Sequence, residues 1–181
     1  RQVYRKRHLV PFGEYFPVPP AVREWMRMQN LPHSDLAAGE DVQPLLTAAN
    51  GIQFGVAICS EDAYGTEQLY ALPAAGILIN VSNDAWFGDS IAPHQHLEIA
   101  RMRSLEFGRP AVRAANTGIS AFIDADGTLL QAGKQFEPEL MTMDIQPRRG
   151  ATPYVNYGNW PVLGLCFAIL GFFWIRNRAS L

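Results

Sequence analysis

The stretch that decides the fold is GVAICSEDAYG, residues 55–65. Gly55 to Cys59 are small or apolar, and Ser60, Glu61 and Asp62 follow without a break. With the residues before it, GIQFGVAIC (51–59) has the length and composition of a buried strand. A thiol thus stands at the last apolar position, with two carboxylates close behind it. A strand that ends in a turn carries its last side chain to the rim of a sheet. There the backbone N–H groups of the next residues can point at a bound oxyanion. A nucleophilic cysteine also needs a base or cation that favours its thiolate. The plain alternative is an inert buried cysteine, since free Cys is among the most buried residue types. The spacing around Cys59 taken alone favours that alternative.

Working outward, the chain alternates strands and helices. AGILINVSN (75–83) reads as a second strand, and DAYGTEQLYAL between the two reads as a helix ending near Pro73. HQHLEIARMRSLEFG (94–108) reads as a helix whose apolar stripe is Ile99, Met102 and Leu105. ISAFIDADGTLLQAG (119–133) reads as a hairpin, because Asp126-Gly127 separates two apolar runs. LMTMDI (140–145) alternates as a final strand would. There are no repeats and no low-complexity tract.

Length and charge set the bounds. The 181 residues correspond to about one domain. The net charge of −2 and the absence of a Lys/Arg block give no footprint for nucleic acid. The cysteines, Cys59 and Cys166, are 107 positions apart and in no metal-type spacing, so a disulfide framework is not expected. His8, His33, His94 and His96 each read as structural or surface residues, and His94-x-His96 is a weak metal hint without a third ligand. The chain begins with Arg1 and shows no signal peptide, so it reads as a piece of something longer.

The end of the chain differs from the rest. Val155 to Ile175 carry no charge, and WPVLGLCFAILGFFWI (160–175) is almost wholly apolar before Arg176 and Arg178. A helix of about 20 such residues rises about 30 Å, the thickness of a bilayer core. Tyr154, Tyr157 and Trp160 fall at one end, as an interfacial belt would, and the basic end marks the cytoplasmic side. This predicts a soluble-type domain over 1–152 and a transmembrane helix with a short basic tail over 153–181. The alternative is a buried C-terminal helix, although few globular helices are apolar on every face.

Further motifs tie these elements together. YRKRHLVPFGEYFP (4–17) carries three cations, an apolar turn and then Glu14. SNDAWFGDS (82–90) is a polar loop after a strand. With CSE these look like the nitrilase, or carbon-nitrogen hydrolase, superfamily, whose members use a Glu-Lys-Cys triad on an α-β-β-α sandwich. More narrowly, KRHLVPFGE, CSE, SNDAWFG with HQH, RxxNTG (113–118) and TPYxxxGNWP (152–161) resemble the C-terminal part of the apolipoprotein N-acyltransferases. The resemblance runs over nearly the whole chain, and its weight lies in several motifs in the right order.

The resemblance implies an α+β fold, a nitrilase-like sandwich lacking its N-terminal portion, followed by one transmembrane helix. It implies transfer of an acyl chain from a phospholipid donor, through a thioester, to the N-terminal cysteine α-amine of a diacylated apolipoprotein. The setting would be the bacterial inner membrane, with the catalytic domain on the periplasmic side. No cofactor and no metal are implied. Cys59 would be the nucleophile and Lys6 the triad lysine. Glu14, eight residues after Lys6, would be the additional glutamate that supports it. Ser60 and Glu61 hold the two positions where the family usually has Tyr-Glu, so Glu61 fits the pattern and Ser60 departs from it. The backbone N–H of Ser60 would still serve the oxyanion. For Lys6, Glu14 and Glu61 the plain alternative is solvated surface charge. EYFPVPPAVREWMRMQNLP (14–32) would be an arm loop near the membrane, or else a helix packed on the sandwich. The triad glutamate and the family's N-terminal transmembrane helices would lie upstream of Arg1, leaving these residues inactive by themselves. Other readings of the same residues are a nitrilase-type amidase that hydrolyses a C–N bond, and a non-catalytic membrane-anchored module that binds lipid or lipoprotein.

Overall fold

The computed structural model describes residues 1–29 and 36–179. Its centre is a mixed six-stranded sheet in sequential order. The strands are β1 (Leu46–Thr47), β2 (Gln53–Ile58), β3 (Ile77–Asn83), β4 (Ala111–Asn116), β5 (Ala121–Ile123) and β6 (Leu129–Ala132). β2, β3 and β4 are parallel neighbours, while β1, β5 and β6 attach antiparallel at the edges. The register places Gly55, Leu78 and Ala111 in one row, and Ala57, Asn80 and Arg113 in the next.

These two rows are buried beneath α3 (Ala92–Phe107). Leu97, Ala100 and Phe107 of α3 meet Leu78, Ala111, Ala121 and Ile123 in the main core. Phe107 is fully buried, which removes enough apolar surface to contribute roughly 1.5–3 kcal/mol. Gly108 ends α3 at φ 61°, a left-handed cap that a side chain would strain. Arg109 is then buried and donates to the carbonyls of Pro73, Ala75, Phe107, Gly108 and Gly150, so its charge fastens loop backbone at the start of β3. The other face of the sheet, with Phe54, Val56, Ile79 and Val112, is only partly covered. One helix layer on one sheet is half of the expected α-β-β-α sandwich.

Several expectations need correction. The stripe Ile99, Met102 and Leu105 does not face the core: Met102 and Leu105 are 49% and 52% exposed. The buried face of α3 is Pro93, His96, Leu97, Ala100, Ser104 and Phe107. It holds polar residues because the sheet beneath it presents Asn80 and Arg113. The expected helix after Cys59 is broken into a 3₁₀ turn (Cys59–Ala63), the short α2 (Gly65–Gln68) and a second 3₁₀ turn (Leu69–Ala71). LMTMDI forms no strand; its residues lie beside no ladder, and Leu140 is 91% exposed. β1 and β4 had no counterpart in the sequence reading.

The segment after Glu14 forms α1 (Pro20–Met28), a helix with no buried residue rather than a packed one. Trp25 and Met28 are more than half exposed, while Leu31 and His33 lie outside the described residues. After the small α4 (Pro153–Tyr157), whose Tyr154 and Val155 pack on the core, the chain enters α5 (Trp160–Ala179). The window Trp160–Arg178 is long and apolar enough to cross a membrane, and none of it is buried in the protein. Among the described residues nothing buries α5, unlike the packed C-terminal helix of the alternative reading.

Candidate active site

Cys59 occupies the first position after β2 and adopts φ 55°. A side chain in this left-handed region is strained, and such strain is held only where the surroundings impose it. Here they do so from two sides, one for each carboxylate that follows the thiol.

Glu61 turns toward the N-terminal segment. It is 3% exposed, and its carboxylate accepts four hydrogen bonds. One oxygen takes the backbone N–H groups of Arg7 (2.6 Å) and His8 (3.1 Å). The other takes Ile58 N–H (2.7 Å) and the Tyr4 hydroxyl (3.0 Å). Burial pushes the Tyr4 phenol up, so it stays a donor to this carboxylate. Glu61 thereby ties the residues on either side of Lys6 to the residue just before Cys59. Arg7 stacks over Tyr70 at 4.4 Å and His8 stacks on Tyr64 at 3.7 Å, closing the same seam.

Lys6 projects from this segment with its side chain 9% exposed. Its Nζ meets both carboxylate oxygens of Glu14, at 2.8 and 2.7 Å. Glu14 also accepts from Val10 N–H at 2.8 Å, which curls the 10–14 turn around the ammonium. Lys6, Glu14 and Glu61 are thus not solvated surface charges.

Asp62 turns the opposite way, under the sheet. It accepts from His96 Nε2 at 3.0 Å and lies 3.5 Å from Arg113 Nη1. Asp84 accepts from His96 Nδ1 at 3.0 Å, from Arg113 Nη2 at 2.9 Å and from the Ser82 hydroxyl at 2.6 Å. With a carboxylate at each ring nitrogen, His96 is a doubly protonated imidazolium. Burial works against that charge, but the hydrogen bonds to Asp62 and Asp84 outweigh it and push the pKa up to about 9. Burial would likewise raise the Asp84 carboxyl, yet bonds from His96 and Ser82 and the Arg113 charge hold it below the usual carboxylate range. Arg113 is 2% exposed and also donates to Asn80 Oδ1 at 2.6 Å. Two cations and two carboxylates thus neutralise one another beneath the elbow, the sharp turn from β2 into the 3₁₀ turn at Cys59. Gly118 has no room for a side chain because the Asp84 carboxylate fills that space. This gathers SND, HQH and RxxNTG into one cluster.

Cys59 is half-buried and borders a cleft of about 280 Å³ with Ser60, Ala63, Phe87, Ala92 and Ile99. The walls are mainly apolar. Asp62, Asp84, Asn80 and Arg113 escaped a sequence search for active groups. Asp84 and Arg113 carried a signal as members of SNDAWFG and RxxNTG, while Asp62 and Asn80 lie outside those motifs. His94 is exposed and takes no part.

The model of the carbon-nitrogen hydrolase family matches residues 1–154, and the chain belongs to that family. Within it, the chain is similar to curated apolipoprotein N-acyltransferases. The one from Methylococcus capsulatus is 49% identical over 177 residues, covering 98% of this chain and 35% of the relative. The one from Nitrosomonas europaea is 48% identical over 171 residues, covering 94% of this chain and 33% of the relative. The chain therefore spans about a third of the length of these relatives. Among solved structures, a carbon-nitrogen hydrolase from Helicobacter pylori superposes with a TM-score of 0.48 at 18% identity, over 56% of this chain and 43% of that one.

Proposed function

We propose that these residues form the nucleophile-bearing part of an enzyme that N-acylates bacterial apolipoproteins. The observation that carries the reading is the match to apolipoprotein N-acyltransferases over 98% of the chain, which takes in Lys6, Glu14, Cys59 and α5 together. In this reading the general base takes the Cys59 thiol proton, and the thiolate attacks the ester carbonyl of a phospholipid. The S–C bond forms, and the Lys6 ammonium and Ser60 N–H stabilise the oxyanion. Glu14 holds the ammonium in place. Collapse expels a lysophospholipid, whose alkoxide takes a proton from the general base. The α-amine of the diacylated apolipoprotein then attacks the thioester and loses its proton to the same base, and the thiolate is restored. The apolar cleft beside Cys59 suits an acyl chain, and an exposed α1 and α5 suit a bilayer.

The general base in this reading is a glutamate upstream of Arg1, because Glu14 and Glu61 are committed to Lys6 and to backbone N–H groups. A positioned base contributes about 10²- to 10⁴-fold. The 181-residue chain alone, purified in detergent, is expected to leave a diacylated lipopeptide unmodified, and co-expression with the missing N-terminal part is expected to restore N-acylation. Turnover by the isolated chain would overturn this assignment of the base.

The reading also sets the orientation at the bacterial inner membrane, with Arg176 and Arg178 in the cytoplasm and the Cys59 cleft on the periplasmic side. In spheroplasts carrying the full-length protein, a membrane-impermeant thiol reagent should label Asp89→Cys and spare Asn177→Cys. The reverse pattern would contradict the orientation.

A further inference from the structure

The carbonyl of Cys59 is held by two side-chain donors. Asn80 Nδ2 donates to it at 3.2 Å from β3, and His96 Nε2, whose one N–H is shared with Asp62, approaches it at 3.2 Å from α3. Both donors are fixed in turn. Arg113 anchors Asn80 through its Oδ1, and Asp62 and Asp84 bracket the His96 ring. Every member of this set is 8% exposed or less.

A trans peptide is planar, so the C=O of Cys59 and the N–H of Ser60 point in opposite directions. Pinning the carbonyl toward the buried cluster aims the Ser60 N–H away from it. The same two bonds oppose the relaxation of Cys59 from φ 55°. We propose that Asn80 and His96, locked by Asp62, Asp84 and Arg113, are positioning residues that set the Cys59–Ser60 peptide plane and so present the Ser60 N–H to the oxyanion formed when Cys59 is acylated. This rests on the reading of Cys59 as the acylated nucleophile.

The cluster explains two features together. Ser60 stands where a family tyrosine usually does, yet its backbone N–H is aimed by groups that do not depend on its side chain. And a charged cluster lies under a helix where apolar packing would have cost less to build. An apolar core could support the elbow but could not offer two donors to one carbonyl.

The test compares two reactions of the same sulfur in the full-length protein. Acylation by p-nitrophenyl butyrate forms an S–C bond through an oxyanion and expels p-nitrophenolate, read as a burst. Alkylation by iodoacetamide forms an S–C bond at a saturated carbon and expels iodide, with no oxyanion. Alkylation is read by mass spectrometry of the Cys59 peptide. Asn80→Asp keeps the acceptor for Arg113 and removes the donor to Cys59. Loss of an oxyanion donor costs about 10²- to 10³-fold, so a donor left in place but misaimed is expected to slow the burst about 10- to 100-fold. Alkylation should stay within about threefold, a bound set by the unchanged sulfur and its cation. His96→Gln, which leaves one amide in place of two ring donors, should lower the same ratio and serves if Asn80→Asp does not fold.

Equal loss of both reactions in the variants that fold, or loss of neither, would overturn the inference. So would failure of both variants to fold, because the cluster would then act on stability alone. Wild-type protein that gives the burst but takes no acyl chain from phospholipid micelles would sink the proposed donor and leave this inference standing.

Discussion

In the full-length protein, Glu61→Ala is expected to show no measurable N-acylation and to melt at least about 5 °C below the wild type. Its carboxylate serves four donors, and three of them are backbone N–H groups of Ile58, Arg7 and His8. Leaving a buried donor unsatisfied costs about 1–3 kcal/mol. Three orphaned backbone donors therefore cost about 3–9 kcal/mol, and each kcal/mol shifts the midpoint of a domain of about 150–250 residues by about 2–4 °C. Activity falls further than stability, because the same bonds tie the segment that carries Lys6 to the residue just before Cys59. Glu61→Gln does not rescue it. Turned one way, its NH₂ group faces the N–H groups of Arg7 and His8; turned the other way it still faces Ile58 N–H, with only the Tyr4 hydroxyl able to rotate and accept. Differential scanning calorimetry and a lipopeptide acylation assay measure the two effects. A Glu61→Ala protein with wild-type melting and activity would show that this carboxylate does not organise the site.

The second large effect belongs to the nucleophile. Cys59→Ala is expected to reduce acyl transfer by about 10⁴-fold or more, the scale on which losing a covalent nucleophile is felt. Cys59→Ser should be nearly as inactive, because a serine alkoxide is much harder to form than a thiolate at the same cation. Cys166 offers no substitute. It lies within the apolar α5 and does not line the cleft beside Cys59. In the full-length protein, a Cys59→Ala variant that still turned over at a tenth of the wild-type rate would remove Cys59 from the mechanism.

How far the sequence could be read depended on whether the signal was local. β2, β3 and the β5–β6 hairpin were legible because each is an apolar run with a turn beside it. The exposed apolar α5 was legible from charge-free length alone. β4 was not, because AVRAAN places Arg113 in its centre and small residues around it. An arginine at a buried strand position makes sense only once Asp84 is known to lie against it, and Asp84 is 29 residues away. The helical stripe failed for the same reason. His96 and Ser104 are polar, so hydrophobic periodicity discounted them, while Met102 and Leu105 drew the eye to the wrong face.

LMTMDI shows the converse error. Alternation makes a segment compatible with a strand, but a ladder also needs a neighbour with free backbone groups. At the site, motif order brought Lys6, Glu14 and Cys59 into view. The work of Glu61 and Asp62 was only half legible. Adjacent acids on a tight turn face opposite ways, and nothing in CSED shows that one grips the N-terminal segment and the other grips His96.

The central claim is that Cys59 carries the acyl group between two substrates. The direct measurement is to incubate the full-length protein with a phospholipid bearing a labelled acyl chain, in the absence of acceptor, and to map the label by mass spectrometry before and after neutral hydroxylamine. The account predicts one acyl group on the Cys59 peptide, released by hydroxylamine, discharged by a diacylated lipopeptide and absent from Cys59→Ala. Label that persists in Cys59→Ala, or transfer to the lipopeptide with no hydroxylamine-sensitive adduct on Cys59, would contradict it.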